Sequence, residues 1–321
     1  MKKRKLEPAV QTLTFQVPDG VSTIDLSQCA SIANRRFYRQ GINWVVSGFR
    51  VFKDVATTSG SPGISVGKLP NTWILGNAWE KAFRHWQDLN KRAVEAGESL
   101  PGRFTDFKIY MDEVHHGVGA QQLLPIDYAG NAATQGEWEY SKIVVPAGTN
   151  SLDFEIIGVG ANYPGAGASG LDAVSLVEGY ANSRALPSVV DPNVPADANQ
   201  VTGGTPQNWL GAIDNQGNPQ IADVIDDLTT ENNIAPYPFE NDGTAVDTQY
   251  PGGANQLPGL QWVDGAYFST GTNSNKLYLK GSNFPCGLIR VSQNTGLVIT
   301  MQVDLVPGTH RGYLCEPMTE M

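Results

Sequence analysis

The sequence predicts an all-β fold, a sandwich elaborated with one long helix and long loop insertions, and three observations carry that prediction. The first is a period-two stretch near the end of the chain. Leu297, Ile299, Met301, Val303 and Leu305 alternate with Thr300, Gln302 and Asp304, the pattern of a strand with one face in a core and the other in water. The second is the supply of turn formers, 35 Gly and 20 Pro in 321 residues, which cuts the chain into short runs. The third is the number of those runs: about twelve candidate strands, with turn signals roughly every 8 to 15 residues and no repeat at a fixed period.

Taken in order, the chain opens with Lys2-Lys3-Arg4-Lys5, its densest positive charge. Leu13, Phe15 and Val17 then alternate with Thr12, Thr14 and Gln16 as far as the turn Pro18-Asp19-Gly20. Ile24 to Cys29 reads as a second strand. Ile42 to Phe52 is almost continuously apolar, as in a strand buried on both faces, and Gly48 marks a bulge within it. Past the loop from Thr57 to Gly63, Ile64 to Lys68 reads as another strand.

Asn77 to Gly97 is the one long helix. Asn77 is the expected N-cap, Glu80 follows three positions later as in a capping box, and Gly97 suits a left-handed C-terminal position. Its stripe of Trp79, Ala82, Phe83, Trp86, Leu89 and Ala93 calls for cover from a sheet or a neighbouring subunit.

Strands resume over Asp106 to Asp112, Trp138 to Val145, Leu152 to Ile157 and Val174 to Gly179. Residues 185–206 are rich in Pro, Asp and Asn and read as an extended crossing, followed by short helical pieces near 207–214 and 221–228 and a loop over 232–258. Leu260 to Ser269, Lys276 to Leu279 and Leu288 to Ser292 complete the strands. Gln293-Asn294-Thr295-Gly296 has the residues a hairpin turn needs before the last long strand, which Pro307-Gly308 ends.

These elements fit one elaborated domain over residues 11–321 behind a basic tip at 1–10. Two sandwiches, with a boundary near 185–206, are the alternative, disfavoured because few strands follow that boundary.

A net charge of −10 excludes a protein that grips nucleic acid over its whole surface, so any phosphate contact must be local. Two places qualify. One is Lys2, Lys3, Arg4 and Lys5, which is either a nucleic-acid contact or a solvated terminus. The other is Asn34 to Gln40, where Arg35, Arg36 and Arg39 surround Phe37 and Tyr38. This segment either stacks bases and holds phosphates or forms a polar patch between subunits.

Cys29, Cys286 and Cys315 are odd in number and widely spaced, which predicts reduced, mostly buried thiols. Asp112, Glu113, His115 and His116 are the one tight group of metal-ligating residue types. No second motif completes a shell, and neither a metal nor a cofactor is expected. The sequence offers no nucleophile elbow, since Gly63-Ile64-Ser65-Val66-Gly67 runs into the stretch read as a strand, and the Gly-rich Gly165 to Gly170 lacks a Lys and a following helix and reads as a loop. Zinc-protease and phosphate-loop motifs are absent, so no enzyme is expected, and a glycosidase pairing Glu137, Glu139 or Asp153 is a remote alternative. No apolar run reaches the ~18 residues of a membrane span, and the basic start leads into Glu7-Pro8 rather than an apolar signal core. A soluble protein made inside the cell is expected.

The basic tip, the strand-rich body, the aromatic helix, the Pro/Gly-rich insertions and the closing run Leu297 to Val306 with Pro307-Gly308-Thr309-His310-Arg311-Gly312-Tyr313 resemble a jelly-roll capsid protein, closest to those of small circular single-stranded DNA viruses. The resemblance implies an eight-stranded jelly roll (alternatively a double one) and an icosahedral homo-oligomeric shell in a virion made in the host cell. It also implies that Lys2, Lys3, Arg4 and Lys5 face a packaged genome. The tip is shorter than the Arg-rich arm common in such proteins, so genome neutralisation by this chain would be weak. A glycan-binding or attachment module is the other reading, motivated by Trp138, Trp209 and Trp262.

Overall fold

The structure, a computed structural model, describes residues 8–53, 61–98, 100, 102, 105–147, 150–183, 259–271 and 275–320. Lys2 to Lys5 and the elements expected over 185–206, 207–214, 221–228 and 232–258 lie outside the described residues. The chain divides into two compact units interleaved in sequence. The first holds the chain to Asn71, Gly119–Glu139 and everything from Leu260; the second holds Thr72–Val118 and Tyr140–Gly259.

In chain order the described elements begin with β1 (Thr12–Val17), β2 (Gly20–Asp25), α1 (Leu26–Asn34), β3 (Ile42–Lys53), β4 (Gly63–Lys68), α2 (Trp73–Ala96) and α3 (Glu113–His116). There follow β5 (Gln122–Leu123), β6 (Lys142–Ala147), β7 (Asn150–Ile157), β8 (Ala173–Ser175) and α4 (Leu176–Ser183). The C-terminal part supplies β9 (Gln261–Tyr267), β10 (Asn275–Lys280), β11 (Asn283–Phe284), β12 (Leu288–Gln293), β13 (Ile299–Leu305), β14 (Pro307–Gly308), β15 (Gly312–Tyr313) and β16 (Cys315–Pro317).

The first unit is built on two sheets. A six-stranded sheet runs β1-β13-β3-β10, with β11 and β16 also on β3, and a five-stranded sheet runs β5-β2-β12-β4-β9. All pairings in them are antiparallel except the short parallel contact of β5 with β2. Alternation does the sorting: Leu13, Phe15 and Val17 of β1 and Met301, Val303 and Leu305 of β13 enter the same core as Ile24 of β2 and Ile289 and Val291 of β12. The chain is therefore mostly β, and one hydrophobic core serves both sheets.

Three sequence expectations change here. The turn Gln293 to Gly296 does not close a hairpin, because β12 pairs with β2 and β4 while β13 pairs with β1 and β3. It carries the chain from one sheet to the other, as Pro18-Asp19-Gly20 does between β1 and β2. The two crossings touch, since the Gly296 amide donates to Asp19 Oδ1 at 2.8 Å. Gln293 fills the crossing with its own side chain: its Oε1 accepts from the Thr295 amide, and its Nε2 donates to the Leu297 and Val17 carbonyls. A side chain thus replaces the ladder bonds that a hairpin would have made.

The second change is at Leu26 to Cys29, expected as strand, which is the first turn of α1. Asp25 Oδ1 accepts from the Ser27 and Gln28 amides, and this N-cap starts a helix where the apolar run alone reads as β. The third is the bulge in β3, which falls at Ser47, skipped between the pairs Asp304 with Gly48 and Leu305 with Val46, one residue from the expected Gly48.

In the second unit α2 starts a turn earlier than expected. Thr72, not Asn77, is the N-cap, its Oγ1 accepting from the Leu75 amide, and Glu80 pairs instead with Arg84 at 2.6 Å. Gly97 ends the helix with φ −85°, so the left-handed position expected there is not used. The aromatic stripe is covered in part by Phe107, whose ring lies 5.8 Å from Trp79 and 5.7 Å from Trp86. A three-stranded sheet runs β6-β7-β8. Asp106 to Asp112, expected as strand, is mostly irregular and joins β7 through a single bridge of Tyr110 with Ile157. Of the strand expected over Val174 to Gly179 only Val174 and Ser175 are β, as the end of β8, and α4 takes the rest.

Candidate nucleic-acid interface

The segment after α1 is fixed by a dense set of local bonds, and these decide which of its side chains meet water. Arg35 caps the helix in the left-handed region at φ 53°, and its amide and that of Arg36 both reach the Ser31 carbonyl. Ser31 Oγ accepts from the Tyr38 amide, the Tyr38 hydroxyl donates to the Arg311 carbonyl at 3.0 Å, and Gln40 Nε2 donates to Asp25 Oδ2 at 2.9 Å. Tyr38 and Gln40 are thereby buried, while Arg35, Arg36 and Arg39 all point outward.

The core beneath these arginines is aromatic. Tyr38 lies 5.8 Å from Trp44 and 5.5 Å from Tyr313, ring centre to ring centre, and the Trp44 indole N–H donates to Ser27 Oγ. Tyr38 is fully enclosed, so it cannot stack on a base, and Phe37 is half-buried against Trp138. The expectation that both aromatics of this segment could serve as stacking platforms is corrected by that packing. What remains is three exposed arginines within five positions, Arg35, Arg36 and Arg39.

Sequence reasoning missed a fourth member. Arg311, exposed at the tip between β14 and β15, donates from its guanidinium to the Phe37 carbonyl, so a residue some 270 positions away joins the cluster. The neighbouring His310 is half-buried, and burial followed by the Arg311 charge pulls its pKa below the ordinary imidazole value. It adds no full charge at neutral pH. A single exposed Arg after a Thr-His pair carries no linear signal; only the fold brings it to Arg35 and Arg36.

The N-terminal strand is pinned at the same corner. The Val10 amide donates to Asn34 Oδ1 at 2.9 Å, the Val10 carbonyl accepts from the Tyr313 hydroxyl at 2.6 Å, and Asn34 Nδ2 donates to that hydroxyl at 2.7 Å. Burial pushes the Tyr313 phenol up to about 12, so it stays a donor throughout the physiological range.

The acidic and histidine group of the second unit is spent on structure. Asp112 caps α3, its Oδ1 accepting from the His115 amide. His115 Nδ1 accepts from the Met111 amide, which assigns the proton to Nε2, 3.2 Å from the Tyr140 hydroxyl. His116 Nε2 lies 2.9 Å from Glu155 Oε2, both side chains buried, and burial followed by the Glu155 charge raises the Tyr110 phenol. The two imidazoles point to different partners. Among the described residues no group of three or more His, Cys, Asp or Glu converges as metal ligands would.

Of the aromatics considered for sugar binding, Trp138 is buried, Trp209 lies outside the described residues, and Trp262 is 69% exposed. Glu137, Glu139 and Asp153 are all exposed. No described helix is long and apolar enough to cross a membrane. No protein-family model, curated protein or solved structure matches this chain.

Proposed function

We propose that this chain is the structural major capsid protein of a virus, that its first unit is a jelly roll, and that copies of it self-assemble into an icosahedral shell around the genome. The observation that carries the reading is the strand order. Apart from the short β5, β11 and β16, the two sheets run β1-β13-β3-β10 and β2-β12-β4-β9, so each of the first four strands has a mirror-image partner from the C-terminal part. β1 lies on β13, β2 on β12, β3 on β10 and β4 on β9. One long antiparallel ribbon, rolled so that successive strands alternate between sheets, produces that order. Jelly rolls of viral coats, lectins and cupins share it.

Among those uses the charge distribution favours the coat. An acidic chain concentrates Arg35, Arg36, Arg39 and Arg311 at one corner, and Val10, pinned there, follows Lys5 by only five positions. The basic tip and the arginine cluster are thus tethered together, and both serve a packaged nucleic acid. The chain acts as a structural protein and not as an enzyme.

The test is gel filtration of the full chain, with negative-stain imaging of the early fractions and the 260/280 nm absorbance ratio. Uniform closed particles are expected, with a ratio that drops when Arg35, Arg36 and Arg39 are replaced by Ala or Lys2 to Lys5 are deleted. A clean small oligomer across salt and pH overturns the reading. A second reading, a glycan-binding module, rests on Trp262 and Tyr267, 69% and 75% exposed on β9. Binding on a glycan screen that is lost in Trp262→Ala would favour it.

A further inference from the structure

The six-stranded sheet turns one face to the core and the other outward, and the outward face has an unusual makeup at its β10 side. Leu277 and Leu279 of β10 pack toward the core, which leaves Lys276, Tyr278 and Lys280 on the opposite face. Register sets Phe52 beside Lys276 and Arg50 beside Tyr278, with Thr300 and Gln302 of β13 continuing the same rows. Lys276 Nζ lies 5.1 Å from the Phe52 ring centre and 4.8 Å from that of Tyr278, so one ammonium orients both rings. Tyr278 nevertheless keeps 66% of its surface exposed.

The nearby carboxylates are committed. Asp304 accepts both bonds of the Arg50 fork and one from Thr12 Oγ1, and Asp264 accepts from the amides of Gly265 and Lys280. Arg50 matches the charge of Asp304, and Asp264 keeps its charge beside Lys280, so Lys276 and Lys280 together exceed the one carboxylate left without an arginine and leave this edge cationic on a chain of net charge −10.

We propose that this outward face binds single-stranded nucleic acid, with Tyr278 stacking on a base and Lys276 and Lys280 holding the flanking phosphates. An exposed ring on a flat, polar surface suits any base, because every base offers a π-face. Outward residues of one strand recur at about 6.6 to 6.8 Å, the scale on which phosphates follow one another along an extended single strand. The rows of Thr and Gln beside the rings supply hydrogen-bonding groups for sugar and base edges. The site goes beyond the arginine corner: it shares with the shell reading the class of partner and stands on different residues and a different chemistry, stacking.

The experiment measures fluorescence anisotropy of a labelled oligothymidylate on the unassembled full chain, as wild type, Tyr278→Ala, Tyr278→Phe and the double variant Lys276→Ala/Lys280→Ala. Loss of the ring is expected to weaken binding about 5- to 150-fold. Phenylalanine keeps the π-face and is expected to stay within about 2-fold of wild type. The double lysine variant is expected to flatten the log-log salt slope by about 1.4, at ~0.7 per phosphate contact on a single strand. Affinity unchanged in Tyr278→Ala overturns the proposal. So does tighter binding of heparin than of the oligonucleotide with no dependence on Tyr278, which would make this a cationic surface for sulfated glycans. Particle formation, scored by sedimentation in the same variants, is a separate readout: intact particles with ring-independent binding refute the face alone, and ring-dependent binding without particles refutes the shell alone.

Discussion

Asp25 is the buried carboxyl on which the arginine corner is built, and its titration gives a sharp test of the packing. It is completely enclosed, and desolvation by burial raises its pKa from 3.8 to about 6 in spite of bonds from Gln40, the Gln28 amide and the Ser27 amide. A raised carboxyl pKa means that the folded state holds the proton more tightly than the unfolded chain does. The stabilisation from the neutral form is complete below about pH 3.8 and is lost as pH rises through about 6. At ~1.36 kcal/mol per unit, the whole effect is roughly 3 kcal/mol, of which about 2 kcal/mol falls between about pH 4.5 and 7.5.

Asp25→Asn removes the titration while keeping an Oδ1 acceptor for the two cap amides, and the Gln40 amide can turn its oxygen to face the new donor. The assay is urea unfolding of wild type and variant at a series of pH values, with the difference between the two curves cancelling every other titrating group. Wild-type stability should fall relative to the variant by about 2 kcal/mol across that range. Parallel curves would refute the claim that burial dominates at this site. A wild type that gains on the variant with rising pH would mean that the cap and Gln40 bonds outweigh desolvation.

Two further predictions concern close packing and the thiols. A Cβ on Gly281 would sit 2.0 Å from the Val46 carbonyl oxygen, so Gly281→Ala should cost several kcal/mol or abolish folding, whereas Gly296→Ala, at φ 69° with open space around it, should cost only about 1 to 2 kcal/mol by thermal melting. Cys29 and Cys286 are fully buried and Cys315 is pushed up to about 12 by burial, so a thiol reagent at mildly alkaline pH should leave all three largely unmodified until denaturant is added. Rapid labelling of the folded protein would contradict the burial of the α1 and β16 cores.

Much of the β architecture was legible because strand periodicity is local. Alternation over Thr12 to Val17 and Ile299 to Leu305 identifies both strands and their buried faces, since a side chain's face in a pleated strand depends only on its neighbours' positions. The hydrophobic run at Ile42 likewise announced β3. Local signals misled where a single capping bond competes with composition: Leu26 to Cys29 is apolar enough for a strand, yet one carboxylate accepting two amides turns it into a helix. Thr72 displaced Asn77 as the cap of α2 for the same reason, because only the approach of the chain from Pro70 sets which oxygen meets the first free amides.

Partnership, in contrast, was decided by tertiary structure. The turn at Asn294-Thr295-Gly296 has the residues of a hairpin, but the strands it joins go to different sheets, because each finds its ladder with a strand far away in sequence. The candidate site divides in the same way. Arg35, Arg36 and Arg39 could be picked out as a basic segment from the sequence, while the burial of Tyr38, the arrival of Arg311 beside Phe37 and the outward row of Lys276, Tyr278 and Lys280 all depend on contacts between distant residues. By itself the sequence determined the mostly β character, the main strands and the basic segment Arg35 to Arg39, which are properties of short windows. The three-dimensional fold alone decided which strands pair, which aromatics face water and which cations converge, because burial and pairing are properties of residues brought together from opposite ends of the chain.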